Sequence, residues 1–381
     1  MPTHPKLHHT AAPATREHCV PGFWPFMAMA EFGAAGLEIF RHNMEFAEEA
    51  LKIDHGLHPA WASQHAVACT LDTLTLRDFS PAAPAGAVPT LIDPPYAGHP
   101  STIADYAPGQ SLVQVLLAAG LRHVAVLDWH SATEAMKDFD IDTYLAEINV
   151  VVDDLGGRVN LIGLCQGGWM AAMYAARFPH KIAALVVAGT PLDCDAGDGF
   201  VKHAAHDLPM SFYEDLVAQG DGRMLGKFML AGWKSMHPEQ NYFHKYVELY
   251  EHLDDPGFKT REETFYRWYE NPIDLPGRWY LQAIKHLFKQ NDFWHGRFVG
   301  LGRKLRLADI PCPAFLLAGE ADYITPAAQV FAGETVLGGP AHRVAKQLVP
   351  GGHIGLFMGH QTLRTAWPKI GAWMLEASPG S

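Results

Sequence analysis

Six short runs of almost continuously apolar residues recur along most of the chain. They are "VPTLID" (88–93), "HVAVLDW" (123–129), "VNLIGLC" (159–165), "IAALVVAG" (182–189), "PAFLLAGE" (313–320) and "KQLVPGG" (346–352). A sheet with one wet face would alternate apolar and polar residues, so strands apolar on both faces belong in a parallel sheet covered on both sides. The stretches between the first four, "SLVQVLLAAG", "IDTYLAEINVVVDDL" and "GGWMAAMYAARF", have helical character. The pattern predicts an α/β fold, a doubly wound, mostly parallel sheet. "TLTLRDF" (73–79) alternates instead, as a half-buried strand does, and "SPAAPAG" (80–86) follows as a loop.

After Asp193 the alternation stops. Residues 194–305 are helical in character and rich in aromatics, as in "TFYRWYENP" and "GRWYLQAIKHLFKQNDFW", before the sheet rhythm resumes. An insertion between late strands is most simply a cap over the carboxyl ends of the sheet, where ligands bind in open α/β folds. Most of its aromatics are expected in the cap's own core. The chain therefore divides into an N-terminal helical segment (1–65), a first part of the core (66–193), the cap (194–305) and a second part of the core (306–381). In the first segment Met29, Phe32, Leu37, Phe40, Met44, Ala47 and Leu51 recur at roughly helical spacing. Its acidic balance argues against docking on an anionic bilayer, so the stripe is expected to pack on the catalytic domain or on a second copy, in a homodimer.

Composition excludes several functions. At 381 residues and 48% hydrophobic content the chain can bury one large core or two modest ones. Only 18% of residues are charged and the net charge is −12, so nothing basic is clustered to track nucleic-acid phosphates. The five cysteines (Cys19, Cys69, Cys165, Cys194, Cys312) are scattered and form no CxxC, which reads as reduced cytoplasmic thiols. The twenty-two histidines lack a spacing such as HExxH, and no GxGxxG opens a helix after a strand, so neither metal nor dinucleotide is expected. The N-terminal stretch lacks an apolar signal core, and no run approaches the ~18 apolar residues of a membrane span.

"GLCQG" (163–167) has the outline of a nucleophile elbow, a sharp strand-to-helix turn that exposes one side chain above the sheet. Its partners are expected in the order nucleophile, acid, histidine at later strand ends. "PAFLLAGEADYITP" presents Glu320 and Asp322, and "LVPGGHIGLF" presents His353. Cys165 would attack as the thiolate, favoured by the dipole of the helix that starts there. His353 would carry its proton, and Asp322, in preference to Glu320, would orient the imidazole. The oxyanion hole needs the backbone N–H of Gln166 and a second donor from the loop after "VPTLIDPP", at Tyr96 or Ala97. Trp169, Trp129 and His99 are candidates for substrate contact. Asp128 and His130 end a strand on the same side, though Asp128 is expected to cap and Trp129 to pack.

With these motifs the chain resembles polyhydroxyalkanoate synthases from about residue 73 onward, most nearly the short catalytic subunit of the two-subunit type. "GLCQGG", Asp322-Tyr323-Ile324-Thr325-Pro326 and "PGGHIG" carry the resemblance, with Trp268, Asn271, "LPG" (275–277), Tyr280 and Gln290-Asn291 in the cap. It implies an α/β-hydrolase fold with a helical cap, and a cysteine that holds the growing polyester as a thioester. It also implies Cys165, Asp322 and His353 as nucleophile, acid and base, a possible partner subunit, and a cytoplasmic place beside polymer granules. Departures are the loop "DPPYAGHPSTIADY", whose "GH" is more similar to intracellular polyhydroxyalkanoate depolymerases, and Trp169, where synthases usually carry a small residue. The long N-terminal domain of single-subunit synthases is missing from the resemblance. The expected activity is polyester synthesis from 3-hydroxyacyl coenzyme A without a cofactor. A depolymerase or esterase, or a non-catalytic granule-associated protein, are the alternatives.

Overall fold

The computed structural model describes residues 42–50, 58–84, 86–236, 245–338 and 344–379. Eight strands form one sheet: β1 (Ala66–Thr70), β2 (Leu74–Asp78), β3 (Thr90–Asp93), β4 (Val124–Trp129), β5 (Val159–Leu164), β6 (Ile182–Ala188), β7 (Ala314–Gly319) and β8 (Val344–Val349). Their order is β1-β2-β4-β3-β5-β6-β7-β8. β2 pairs antiparallel with both β1 and β4, and every pairing from β4 onward in this order is parallel. This is the strand order of the α/β-hydrolase fold. The reversal between β3 and β4 makes a switch point, and the crevice beyond the carboxyl ends of the neighbouring strands is where such sheets bind ligands.

β5 and β6 are buried at every position, as their uninterrupted apolar sequence requires. β1 is the strand missing from the sequence pattern. "AVACT" is an edge strand, mostly exposed, with a register shift between Val67 and Cys69, so it carries no burial signal. α2 (Leu112–Ala118), α3 (Ile141–Asp154) and α4 (Gln166–Arg177) connect successive strands, and α11, the closing helix, spans Trp367–Ala377. α3 starts where Asp140 caps it, its carboxylate accepting from the Thr143 N–H at 3.1 Å. It buries Tyr144, Leu145, Ile148 and Val152, the apolar face of its sequence.

Between β6 and β7 lies a layer of helices: α5 (Phe200–Asp207), α6 (Met210–Gln219), α7 (Gly226–Ser235), α8 (Lys245–Glu251), α9 (Pro256–Tyr269) and α10 (Gly277–Gln282), which runs into a π-helical turn at Ala283–Lys289. Polar bonds fix this layer over the loop after β3. Trp268 Nε1 donates to the Pro100 carbonyl at 3.0 Å, Trp233 Nε1 to the Ala97 carbonyl at 3.2 Å, and the Ile273 N–H to the Gly98 carbonyl at 3.0 Å. Buried Asn291, whose φ is 49°, ties the far end down. Its amide nitrogen donates to Asp193 at 2.7 Å and Asp195 at 3.0 Å.

Of the N-terminal segment, residues 42–50, which form a helix (α1), and 58–65 are described; Met29, Phe32, Leu37, Phe40 and Leu51 lie outside the described residues. α1 lies against the helical layer. Phe46 meets the Tyr250 ring edge-on at 5.5 Å, and Glu45 pairs with Lys259 at 2.6 Å. Among the described residues no helix is long and apolar enough to cross a membrane. Because α1 packs on Tyr250 of α8 and pairs with Lys259 of α9, deleting residues 1–55 is expected to lower the melting temperature by about 1–2 °C or more, the shift that ~1 kcal/mol gives in a domain of more than 300 residues. An unchanged melting curve would show that these contacts add nothing to the fold.

Candidate active site

β5 ends at Leu164 and α4 begins at Gln166, so Cys165 alone makes the turn. Its backbone sits at φ 50°, ψ −117°, a conformation that costs a non-glycine residue about 1–3 kcal/mol. Neighbouring glycines make room for the turn. A Cβ on Gly163 would lie 2.3 Å from Gly168 Cα, and one on Gly167 would lie 2.2 Å from the Asp93 carbonyl oxygen. The Cys165 N–H donates to the Ala188 carbonyl at 2.8 Å, fixing the elbow to β6.

The loops after β7 and β8 bring the partners. Glu320 N–H donates to the Val349 carbonyl at 2.9 Å and Ala321 N–H to the Gly351 carbonyl at 3.1 Å, so the two loops are bonded to each other. Asp322 Oδ2 accepts from His353 Nδ1 at 2.7 Å, while Oδ1 accepts from the N–H groups of Ile324 (3.0 Å) and Thr325 (2.8 Å). Glu320 is exposed, so the geometry selects Asp322 as the carboxylate facing the imidazole. His353 and Asp322 are both buried. Burial disfavours the charged imidazole, but attraction to Cys165 and to Asp322 outweighs it and raises His353 to about 10. His353 Nε2 has no nitrogen or oxygen partner among the described residues, and the sulfur of Cys165 is the group it meets. An imidazole held protonated beside a thiol can keep the thiol's proton until a leaving group needs it.

Two cavities meet at Cys165. The larger, about 450 Å³, is walled by Trp169, Trp279, Tyr213, Tyr280, Phe228 and Leu275 among other apolar residues, with Gln166 beside the thiol. The smaller, about 250 Å³, is lined by His99, Trp268, Tyr269, Phe265, His353 and Phe357. The aromatics of the helical layer are therefore both its core and the walls of the site. Trp279 and Trp233 carry no periodic signal that would set them apart in sequence, because only docking of the layer brings them to Cys165.

The other expected residues separate. Ala97 and Gln166 both line the larger cavity, and their backbone N–H groups make no hydrogen bond to any described residue. Tyr96 does not supply a free donor: its N–H is taken by the side-chain carbonyl of Gln166. Its ring is packed among Trp129, Tyr144 and Trp279, with its hydroxyl 2.8 Å from that of Tyr144. Trp169 lines the larger cavity, stacked on Trp279 with ring centroids 5.7 Å apart. Trp129 lines neither cavity, which corrects its expected contact with substrate. Its indole N–H is spent on Asp93 Oδ1 at 3.2 Å and the Pro94 carbonyl at 3.1 Å. Asp128 pairs with Arg77 at 2.6 Å rather than capping a helix, and His130 bonds Thr75 at 2.9 Å. His99 lies in the smaller cavity, stacked on Trp268 at 4.7 Å and Tyr269 at 5.0 Å, and burial lowers it to about 4. Buried Asp93, below the elbow, is pushed well above the usual carboxylate range by desolvation. Among the described residues no cluster of His, Cys, Asp and Glu is arranged to hold a metal ion.

The fold and this constellation define a protein of the α/β-hydrolase class with a cysteine at its elbow. The chain belongs to the family described as protein of unknown function DUF3141, matched over residues 88–335. It is also similar to proteins named poly(3-hydroxyalkanoate) polymerase subunit PhaC, in agreement with the resemblance read from its motifs. The one from Allochromatium vinosum is 28% identical over 343 residues, 88% of this chain and 93% of that protein. The one from Haloferax mediterranei is 27% identical over 304 residues, 76% of this chain, and the match spans only 58% of that protein's length. Among solved structures, a monoacylglycerol lipase from Paleococcus ferrophilus aligns at TM-score 0.49 and 17% identity, covering 80% of this chain and 99% of that one.

Two tests follow from the geometry. Gly167→Ala is expected to cost about 3 kcal/mol or more, because backbone must move to admit the methyl group. Gly355→Ala, whose Cβ would meet nothing within 4 Å, serves as the tolerated control. Equal melting temperatures for the two would refute the packing argument. The second test uses His353. Its raised value means that the charged imidazole stabilises the fold in full below the ordinary histidine value near 6.5, and that this is lost as pH rises through about 10. In urea unfolding, the stability gap between the parent and His353→Gln should be wide at about pH 7 and narrower at about pH 9. A gap that widens would show that the imidazole is not held protonated.

Proposed function

We propose that the chain builds polyester from 3-hydroxyacyl coenzyme A, by acyl transfer through a thioester on Cys165. The observation that carries this reading is a cysteine at the elbow, backed by a buried His353–Asp322 pair, where two apolar cavities meet. The similarity to proteins named poly(3-hydroxyalkanoate) polymerase supports it. In the first half-reaction the Cys165 thiolate attacks the thioester carbonyl, and the N–H groups of Gln166 and Ala97 receive the oxyanion. The carbon–sulfur bond to coenzyme A breaks, and the departing thiolate takes the proton from His353. In the second, a hydroxyl group attacks the acyl-cysteine, His353 removes its proton, and an ester forms as the Cys165 thiolate leaves.

The choice of sulfur fits transfer better than hydrolysis. A cysteinyl thioester keeps the acyl group about as activated as in the coenzyme A thioester, so passage to an alcohol stays favourable. A serine oxoester would lose that activation on the first step. Neutral His99, with Nε2 unpartnered in the smaller cavity, is suited to bind the incoming hydroxyl there. Its "GH" loop also supports the second reading, hydrolysis of existing polymer, in which water replaces the hydroxyl.

Incubation with 3-hydroxybutyryl coenzyme A should release thiol and yield insoluble polymer. Soluble hydroxyacid from amorphous polymer, without thiol release from the thioester, would favour the hydrolase, and silence in both assays would overturn both readings. Cys165→Ala should abolish turnover, Cys165→Ser should retain little, and His353→Ala should lose roughly 10²–10⁴-fold. Asp322→Asn should be impaired more than Glu320→Gln; the reverse order would reassign the acid.

A further inference from the structure

The Ala97 N–H has no described partner, yet the backbone groups on either side of it are bonded. The Tyr96 N–H donates to the side-chain carbonyl of Gln166, and the Ala97 carbonyl accepts from Trp233 Nε1 at 3.2 Å. Ala97 lines both cavities that meet at Cys165, and so does Trp233. Among the described residues the bond to Tyr96 is the one hydrogen bond of the Gln166 side chain, whose Nε2 is unpartnered. The Tyr96 ring is anchored separately, its hydroxyl 2.8 Å from that of Tyr144.

Each peptide unit is a rigid plane that turns only about the dihedrals joining it to its neighbours. The plane carrying the Ala97 N–H also carries the Tyr96 carbonyl on its opposite edge, so a half-turn would present an oxygen where an oxyanion needs a donor. Gln166 holds the plane before it, Pro95–Tyr96, and Trp233 holds the plane after it, Ala97–Gly98. With both neighbours held, the plane between them cannot turn without breaking one of these bonds. We propose that the Gln166 carboxamide and the Trp233 indole are positioning residues, which from opposite sides lock the peptide that presents the Ala97 N–H to the oxyanion. Resting on the acyl transfer proposed above, this assignment gives Gln166 two tasks: its backbone N–H is one donor, and its side chain anchors the other. It also makes a residue of the helical layer part of what shapes the oxyanion hole, because Trp233 belongs to α7.

Two reactions of Cys165 in the full-length protein separate positioning from general damage. Acylation by p-nitrophenyl butyrate passes through an oxyanion and is read as a burst of p-nitrophenolate. Alkylation by iodoacetamide forms a carbon–sulfur bond as iodide leaves, with no oxyanion, and is read by mass spectrometry of the peptide holding Cys165. Gln166→Met keeps the length of the side chain and removes the acceptor for Tyr96; Trp233→Phe keeps an aromatic ring and removes the donor to Ala97. The acylation rate should fall about 10²-fold in Gln166→Met and about tenfold in Trp233→Phe, while alkylation stays within about twofold of the parent. The double variant should lose about as much as Gln166→Met alone, because both changes act through one donor. Unchanged acylation in both single variants, alkylation falling as far as acylation, or losses that multiply in the double variant would each overturn the proposal. Trp233→Phe, at a partly exposed position, carries the test if Gln166→Met does not fold. The two readings can fail separately. Impaired acylation in the variants of a protein that makes no polymer would refute the polymer activity alone, and polymer formation with unchanged acylation would refute the positioning alone. A parent that shows no burst would overturn both.

Discussion

The strained turn at Cys165 is the constraint on which the rest of the structure depends. A side chain at φ 50° is unfavourable in isolation, so the surroundings must hold it. They do so by close backbone approach: α4 starts directly against the end of β3 and the end of β6, at spacings only glycine permits at positions 163, 167 and 168. The first N–H of α4, next to the thiol in sequence, and the N–H of Ala97, on the wall of the same cavity, have no described partner of their own. One backbone arrangement therefore sets the position of the sulfur and of the donors around it. The polar pair of His353 and Asp322 is then fixed by bonds between the loops of two neighbouring strands, independently of the elbow.

The helical layer supplies what the sheet cannot. The carboxyl ends of the strands alone would leave the thiol and imidazole in water, where charge interactions are weak. Trp233, Trp268 and Ile273 bond the layer to the loop after β3, so its aromatics are held over Cys165, which stays partly exposed, and His353 beneath them is buried. Burial alone would then drive the imidazole neutral, as it does for His99. At His353 the nearby sulfur and the Asp322 carboxylate reverse the sign. Two histidines lining the same small cavity thus end with opposite tendencies because only one faces negative groups.

Sequence patterning revealed what local chemistry encodes. Continuous apolar runs marked the parallel strands, and the order of elbow, acid loop and histidine loop marked the strand ends that the fold brings together. It missed β1, which is an exposed edge strand and has no periodicity to read. Of its two readings of Trp129, packing and substrate contact, the structure fits packing, and of its two donor candidates, Tyr96 and Ala97, Tyr96 is already bonded, because a residue near a strand end turns inward as readily as toward a ligand. Only tertiary contacts distinguish the two cases: Trp129 is satisfied by Asp93 and Pro94 and lines neither cavity, whereas Trp169 and Trp279 line the larger one. Those partners lie far apart in the chain, and no local pattern reports them.

Trp169 illustrates how a departure from a family's habit can be informative. A large residue one turn past Cys165 ought to crowd the space beside the thiol, yet here its ring is absorbed into the stack with Trp279 and lines the cavity instead of closing it. The stack makes the Trp169 indole part of the wall, so the space beside Cys165 is bounded by rings from α4 and from the helical layer together. Neither the sheet nor the layer would form that space alone, and a change of either ring would reshape it from both sides.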